Sequence, residues 1–228
     1  MPIKWKTSEV ETPEGKVKVT HWAKHDPREL IEALQHDWIE RKFRNSVVTV
    51  YKFGPHLIAS KTFSSRKAAS SFETLRELER KRLAIVETPV ALVELQGADS
   101  PAQVVTLYKK GTETLGGLFD NLEVPVKTKR KAALSAVAKL ARLHAAGFIH
   151  GHLHEDNVVV DEHGNAQLID YKFIEKLNSE PYFGGRGPTY FNEWGWLIYG
   201  NSPKAKKFNQ LLRDYYNKVG KKAQKQTS

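Results

Sequence analysis

Apolar residues alternate with polar ones along several short segments in the first half of the chain, a pattern that predicts half-buried β-strands. Turn residues join two pairs of these segments, Pro13-Glu14-Gly15 in the first pair and Gly54-Pro55-His56 in the second. We therefore expect a hairpin over residues 3–23 and a second antiparallel pair formed by VVTVYKF and LIASKTF. Two further strands are predicted for VALVEL, which follows Pro89, and for VVTLY.

Two helices are predicted between these strands. Asp26 is a suitable N-cap, Pro27 fits the first turn, and Glu29 completes a capping box. The apolar stripe that follows predicts a helix ending near the basic residues at 41–44, and its members are Leu30, Ile31, Leu34, Trp38 and Ile39. A second, highly charged helix is predicted over about residues 65–83.

The second half of the chain is predicted to be mainly helical. A long helix ends at Gly147, and its apolar stripe consists of Leu134, Val137, Leu140, Ala141 and His144. The segment NVVVDEHGNAQLID interrupts the helical pattern and predicts a short hairpin with its turn at residues 162–165. A last helix begins at Ser202-Pro203, buries Phe208, Leu211, Leu212, Tyr215 and Val219, and frays in the basic tail 220–228.

Composition narrows the classes of function. The 228 residues include 36 Lys and Arg against 26 Asp and Glu, a formal net charge of +10, which favours phosphate-bearing partners such as nucleotides, nucleic acids or an anionic membrane face. No cysteine is present, which excludes disulfides, a cysteine nucleophile and thiolate metal sites. The chain has no apolar run long enough for a transmembrane segment, so we expect a cytoplasmic protein.

The segment HGHLHEDNVVVDEHGNAQLIDYK, residues 150–172, contains the candidate chemistry. A polar loop is followed by the predicted hairpin, which ends at an aspartate. If the loop and the strand end lie side by side, Asn157 and Asp170 present an amide oxygen and a carboxylate to one point. Mg²⁺ prefers such oxygen ligands when substrate phosphates complete its shell.

The order of these residues resembles the catalytic loop and the metal-binding loop of the protein-kinase-like fold. In the resemblance His150 is the leading histidine of the loop, Asn157 is the metal-binding asparagine, and Asp170-Tyr171-Lys172 stands in place of Asp-Phe-Gly. The sequence motif of this loop is similar to that of small kinases with short C-terminal lobes. These are lipopolysaccharide kinases, RIO-type kinases, the kinase of the KEOPS assembly and aminoglycoside phosphotransferases. The resemblance implies a bilobal α+β fold that uses ATP and Mg²⁺.

The resemblance also implies roles for residues outside the loop. Lys61 corresponds to the phosphate-binding lysine at the end of a strand, and Glu77 is its expected ion-pair partner, with Glu73 as the alternative. Residues 106–110 correspond to the hinge between a β-rich lobe, 1–105, and a reduced helical lobe, 111–228. In that hinge Thr106 is the gatekeeper, and backbone groups from Leu107 to Lys109 face an adenine.

The chain departs from the pattern of the family in two loops. No glycine-rich loop precedes VVTVYKF, and the nearest candidates for a phosphate lid are Arg44, Asn45 and Ser46. Only 22 residues separate Asp170 from Glu193, and this segment contains Gly-Gly-Arg-Gly-Pro in place of a peptide platform. The second departure argues against a conventional peptide substrate and for a small or tethered acceptor.

A third departure lies at the chemical centre, where His152 occupies the position of the catalytic aspartate. A neutral imidazole can accept the proton of the attacking hydroxyl, but it adds no negative charge beside Mg²⁺. Two functions therefore stay open: phosphoryl transfer to a hydroxyl of an unidentified protein or small molecule, and nucleotide binding by a pseudokinase scaffold.

Two other interpretations come from different classes of function. His150, His152 and His154 alternate and would share one face of an extended segment, as a zinc site requires. The second interpretation is an RNA-associated binding module, because basic residues are concentrated near the C-terminus. They are Lys204, Lys206, Lys207, Lys218, Lys221, Lys222 and Lys225.

Overall fold

The computed structural model describes residues 3–13, 15–36, 38–43, 46–81, 83, 87–95, 101–108, 113–171, 174–177 and 203–227. The chain divides into two compact units, the first containing Met1–Arg82 and Glu87–Lys110 and the second containing Leu83–Val86 and Gly111–Ser228. The first unit is built on a β-sheet and the second mainly on helices. The predicted α+β class, with a β-rich N-terminal region, is confirmed.

A seven-stranded antiparallel sheet forms the N-terminal unit, with the spatial order β1-β2-β6-β7-β5-β4-β3. Its strands are β1 (Trp5–Thr12), β2 (Gly15–Trp22), β3 (Trp38–Phe43), β4 (Ser46–Phe53), β5 (His56–Ser64), β6 (Pro89–Leu95) and β7 (Pro101–Tyr108). Both predicted hairpins are confirmed, because β1 pairs with β2 and β4 pairs with β5 in antiparallel register.

The first predicted helix is shorter than its apolar stripe indicated. Helix α1 (Pro27–His36) begins as expected, and Asp26 Oδ1 accepts the backbone N–H of Arg28 at 2.8 Å. The extension through Trp38 and Ile39 is wrong, because β3 starts at Trp38 and pairs with β4. Aromatic and β-branched residues favour strands, and pairing with β4 satisfies their backbone hydrogen bonds.

Helices cover both faces of this sheet. Leu30 and Ile31 of α1 pack in one apolar cluster with Val19, Val93 and Val105. Helix α2 (Ser65–Arg80) contacts β5, β6 and β7, and its Phe72 meets the edge of the Trp5 ring at 5.1 Å between centroids. Since side chains alternate along a strand, the register of the sheet places Trp5 on the face opposite Val19.

The C-terminal unit contains helices α3 (Leu115–Asp120), α4 (Val126–Ala145) and α5 (Pro203–Thr227), with a 3₁₀ turn at Glu155–Asn157. The described residues of this unit also form short strands, β8 (Glu113–Thr114), β9 (Phe148–Ile149), β10 (Val158–Val160), β11 (Ala166–Leu168) and β12 (Glu175–Lys176). Strands β11, β10 and β8 form one small sheet, and β12 pairs with β9 in another. The predicted long helix and the β10–β11 hairpin are confirmed.

Helix α5 packs along α4 through a buried polar contact. His144 Nδ1 is hydrogen bonded to the hydroxyl of Tyr216 at 2.5 Å, and both side chains are buried. The sequence prediction placed Tyr215 in the core, whereas Tyr215 is half-buried and Tyr216 faces α4. The tail that we expected to fray after Gly220 is helical as far as Thr227.

Candidate functional site

The site in the C-terminal unit begins at His150, which is completely buried. Its Nε2 lies 2.8 Å from the backbone carbonyl of Ile169. A carbonyl oxygen only accepts, so Nε2 carries the proton and donates it. This hydrogen bond fixes the start of the polar loop against the residue that precedes Asp170.

Asn157 is buried at the end of the 3₁₀ turn and is held by hydrogen bonds to the polar loop and to Ile169. Its Nδ2 donates to the carbonyl of His152 at 2.8 Å, and its backbone N–H donates to the carbonyl of His154 at 2.9 Å. Its own carbonyl accepts the N–H of Ile169 at 2.9 Å. Because the amide nitrogen faces the loop backbone, the oxygen Oδ1 is the atom left to bind a ligand.

Asp170 adopts a left-handed backbone conformation with φ of 65°, unlike every other non-glycine residue in the described part of the chain. Aspartate tolerates this region better than most residues, but the conformation still carries strain that the surrounding structure must hold. Its carboxylate is largely buried, and Oδ2 lies 3.7 Å from His152 Nδ1. Three sequence-predicted residues, His152, Asn157 and Asp170, are therefore neighbours.

His152 is the exposed member of this group, with 53% of its side chain accessible. Its Nδ1 lies 3.4 Å from Asn157 Nδ2, and its ring meets His154 edge-on at 5.0 Å between centroids. The distance to Asp170 is too long for a hydrogen bond, but it allows an ion pair when the imidazole is protonated. His152 can thus be a proton acceptor when neutral and a competitor for the carboxylate when charged.

The zinc interpretation receives no support. Within the described residues no group of three His, Asp, Glu or Cys side chains is arranged to hold a metal ion. His150 faces the backbone of Ile169 instead, which separates it from His152 in function.

The N-terminal unit places two of the predicted nucleotide-binding residues on one face of its sheet. Lys61 lies opposite Val104 and Thr106 lies opposite Ala59 in the β5–β7 register. Side chains two residues apart share a face, so Lys61 and Thr106 point to the same side. Thr106 is buried, and the N–H of Leu107 donates to the carbonyl of Thr88 at 2.9 Å.

Helix α2 distinguishes between the two candidate partners of Lys61. Glu73 is exposed and forms an ion pair with Arg76 at 2.6 Å. Glu77 is half-buried and lies 3.8 Å from Lys81. The lower exposure of Glu77 favours it over Glu73.

Several predicted features lie outside the described residues. They are Lys109 of the hinge, Arg44 and Asn45 of the phosphate lid, Lys172, and the segment that contains Gly184 to Pro188 and Glu193.

Sequence reasoning missed the contribution of Gly116. A Cβ at this position would lie 2.8 Å from Glu155 Cγ and 3.2 Å from Asp156 Oδ1. A larger residue at this position would require the Glu155 and Asp156 side chains to shift, so helix α3 passes close to the 3₁₀ turn that ends at Asn157. The Gly116-Gly117 pair was the available signal, because two glycines are unfavourable inside a helix without a packing reason.

The fold and the loop define the chain as a member of the protein-kinase-like class. A family model described as "Lipopolysaccharide kinase (Kdo/WaaP) family" matches residues 18–176, and the chain belongs to this family of phosphotransferases. A solved structure of WaaP in complex with acyl carrier protein superposes with a TM-score of 0.55 at 18% identity, covering 90% of this chain and 94% of that one. At this identity the likeness shows the fold.

Protein kinases outside the family are also similar. Rho-associated protein kinase 1 from Homo sapiens and from Mus musculus is 30% identical over 123 residues, which is 50% of this chain. The chain spans about 9% of the length of these relatives. In the described part of the chain, no helix is both long enough and apolar enough to cross a membrane.

Proposed function

We propose that the chain transfers the γ-phosphoryl group of ATP to a hydroxyl, with Mg²⁺ held by Asn157 and Asp170. The observation that carries this proposal is that the Asn157 side chain and the Asp170 carboxylate both lie next to the His152 ring. An amide oxygen and a carboxylate suit Mg²⁺, which completes its shell with phosphate oxygens and water. Bound Mg²⁺ would neutralise charge on the transferring phosphoryl group.

On the nucleotide side, Lys61 binds phosphate oxygens and Glu77 orients Lys61. Thr106 shares a sheet face with Lys61 and contacts the base, in keeping with its burial at the end of β7. Leu107 and Lys109 supply backbone groups to the adenine. Since the N–H of Leu107 already donates to Thr88, its contribution is its carbonyl.

His152 accepts the proton of the attacking hydroxyl in this mechanism. Its exposure supports the role, because the acceptor must reach the ring from solvent. Protonation of the ring would place a cation 3.7 Å from Asp170 Oδ2 and oppose Mg²⁺ binding. The family description supports a hydroxyl on a lipopolysaccharide-type glycolipid as the acceptor.

A nucleotide-binding scaffold without transfer is the second candidate. It is favoured by His152 itself, which stands where the family resemblance expects an aspartate. Phosphoryl transfer depends mainly on positioning and charge neutralisation, so loss of the aspartate alone does not abolish it.

The experiment compares four proteins, wild type, His152→Ala, His152→Asp and Asp170→Ala, in γ-phosphate transfer and ATP hydrolysis. We expect measurable wild-type turnover, a loss of about 10²-fold in His152→Ala, and no turnover in Asp170→Ala. ATP with Mg²⁺ should stabilise wild type by about 2.7 kcal/mol at a hundred times the dissociation constant, and this Mg²⁺-dependent part should be missing in Asp170→Ala.

The two candidates differ in one result. If wild type and His152→Asp both bind ATP but neither turns over with a glycolipid acceptor, the scaffold is the function. If no protein responds to millimolar ATP in thermal melts, both nucleotide-based functions are wrong.

A further inference from the structure

The connection between α3 and α4 exposes two large apolar side chains. Leu122 is 94% exposed and Val126 is 81% exposed, and these are the large hydrophobic residues left open to solvent in the described part of the chain. Their exposure does not come from a loose loop. Asn121 Oδ1 accepts the N–H of Glu123 at 2.9 Å, and the Asn121 carbonyl accepts the N–H of Val124 at 3.3 Å.

The first two turns of α4 contain a group of cations. Lys127, Arg130 and Lys131 are exposed, whereas Lys129 Nζ donates to the carbonyl of Phe119 at 2.9 Å. Helix stability does not explain these residues, because cations near a helix N-terminus oppose the helix dipole and the first turn of α4 has no acidic residue. We call Leu122, Val126, Lys127, Arg130 and Lys131 the α4 tip. The exposed Asp120 and Glu123 flank Leu122, so residues 120–131 contain four cations against two carboxylates.

We propose that the α4 tip docks on an anionic phospholipid bilayer. Exposed aliphatic side chains next to Lys and Arg are the combination that interfacial binding requires, since the apolar groups enter the acyl boundary while the cations meet lipid phosphates. Nucleic acid fits less well, because the tip has no aromatic ring on which bases could stack. The proposal does not depend on phosphoryl transfer, and a scaffold would dock in the same way.

Helix α5 provides a natural comparison within the same unit. Its exposed cations include Lys218, Lys221 and Lys222. Among the described residues of α5, no large apolar side chain is exposed beside these lysines. If charge alone attracted the protein to anionic lipid, the lysines of α5 would contribute to binding as much as the cations of the α4 tip. Docking by the tip requires both its cations and its aliphatic side chains.

The first experiment measures cosedimentation of the full chain with phosphatidylcholine vesicles that contain or lack phosphatidylglycerol. Lys127→Gln/Arg130→Gln should weaken binding to the anionic vesicles about 30-fold, at roughly fivefold for each cation near the surface. Leu122→Ser/Val126→Ser keeps the net charge and should also weaken binding at least tenfold. The control Lys218→Gln/Lys221→Gln removes the same charge from α5 and should change binding less than about threefold.

The second experiment locates the contact. The chain contains no cysteine, so Leu122→Cys takes a single environment-sensitive fluorophore. Its emission should shift to the blue on anionic vesicles, while a fluorophore at the exposed Ser70→Cys on α2 should not respond. Thermal melts check folding, and the side chains of Leu122, Val126, Lys127 and Arg130 are too exposed for their replacement to alter the core.

Three results would overturn the proposal. One is equal loss of binding in the α5 control and the tip cation variant, which would reduce the interaction to net charge. Another is an unchanged fluorophore at position 122 on saturating anionic lipid. The last is failure of wild type to sediment with vesicles while it binds RNA or an acidic protein, which would assign the tip to that partner.

Discussion

The two sets of candidate residues are held in place by different means. In the N-terminal unit, Lys61 and Thr106 lie on strands whose ladder runs from Leu57 opposite Tyr108 to Ser64 opposite Pro101. In the C-terminal unit, Asn157 and Asp170 lie in irregular backbone that is positioned by a few specific hydrogen bonds from His150, Ile169 and Asn157 itself. A strand position is determined by many equivalent bonds, whereas a loop position depends on each one.

This difference indicates where a single substitution should affect the structure most. Removing one side chain from the sheet leaves the ladder that places Lys61, because backbone bonds carry the register. Removing His150 leaves a buried cavity and an unpaired carbonyl directly before the strained Asp170. Single substitutions should therefore have larger effects in the loop than in the sheet.

The largest expected effect is on stability. His150→Ala should lower the free energy of unfolding by about 3 kcal/mol, from the cavity and the lost hydrogen bond to Ile169. Ser60→Ala in β5 gives the cost of one lost hydrogen bond in the sheet, since the buried Ser60 hydroxyl donates to Gln103 Oε1 at 3.2 Å, although it removes fewer atoms than His150→Ala. Its cost should be about 1 kcal/mol. Urea unfolding of both variants measures the difference, and equal costs would show that His150 adds neither packing nor support beyond one hydrogen bond.

The next effect distinguishes the phosphate-binding residue of the N-terminal unit from the Mg²⁺-binding residues of the C-terminal unit. It rests on the proposed function. Lys61→Met should weaken ATP binding about tenfold both with and without Mg²⁺, because the lysine meets phosphate directly. Asn157→Ala should weaken it by a similar factor only when Mg²⁺ is present. Calorimetric titrations in Mg²⁺ and in chelator measure both. An Mg²⁺-independent loss in Asn157→Ala would show that this residue only supports the loop.

The smallest effect concerns pH and lies in the N-terminal unit. Burial, followed by Lys24, His56 and His21, lowers the pKa of His25 below its ordinary value of 6.5. The unfolded chain therefore takes up this proton before the folded chain does, and stability falls as the pH drops from about 6.5 toward the lowered value. His25→Gln should lose part of the decrease in melting temperature between about pH 7.5 and pH 5. An identical pH profile in the variant would mean that other groups cause the decrease.

Much of the sheet could be predicted from the sequence, because period-two patterns and turn residues act locally. The side shared by Lys61 and Thr106 follows from that period once the strands are aligned. The boundary at Trp38 could not be predicted, since a stripe with helical spacing continues into residues that also suit a strand. Only the partner strand β4 decides between the two structures.

In the candidate site the residue types could be predicted but their support could not. The order of His150, Asn157 and Asp170 is visible in the sequence. The bond from His150 to the Ile169 carbonyl joins residues distant in sequence, and no pattern encodes it. Tyr216 is similar, because Tyr215 and Tyr216 are adjacent and only the position of His144 on α4 selects the buried one.

The short pairing of β9 with β12 joins the ends of the segment that contains Asn157 and Asp170. Phe148 and Ile149 pair with Lys176 and Glu175, and the N–H of Leu177 donates to the carbonyl of Gly147 at 2.8 Å. Everything between them, including Asn157 and Asp170, forms one closed loop. The chain entropy of closing that loop is lost once, for both residues together. A substitution that weakens the β9–β12 pair should therefore act on both residues together, while the β10–β11 and β10–β8 pairings still hold the segment that follows Asn157.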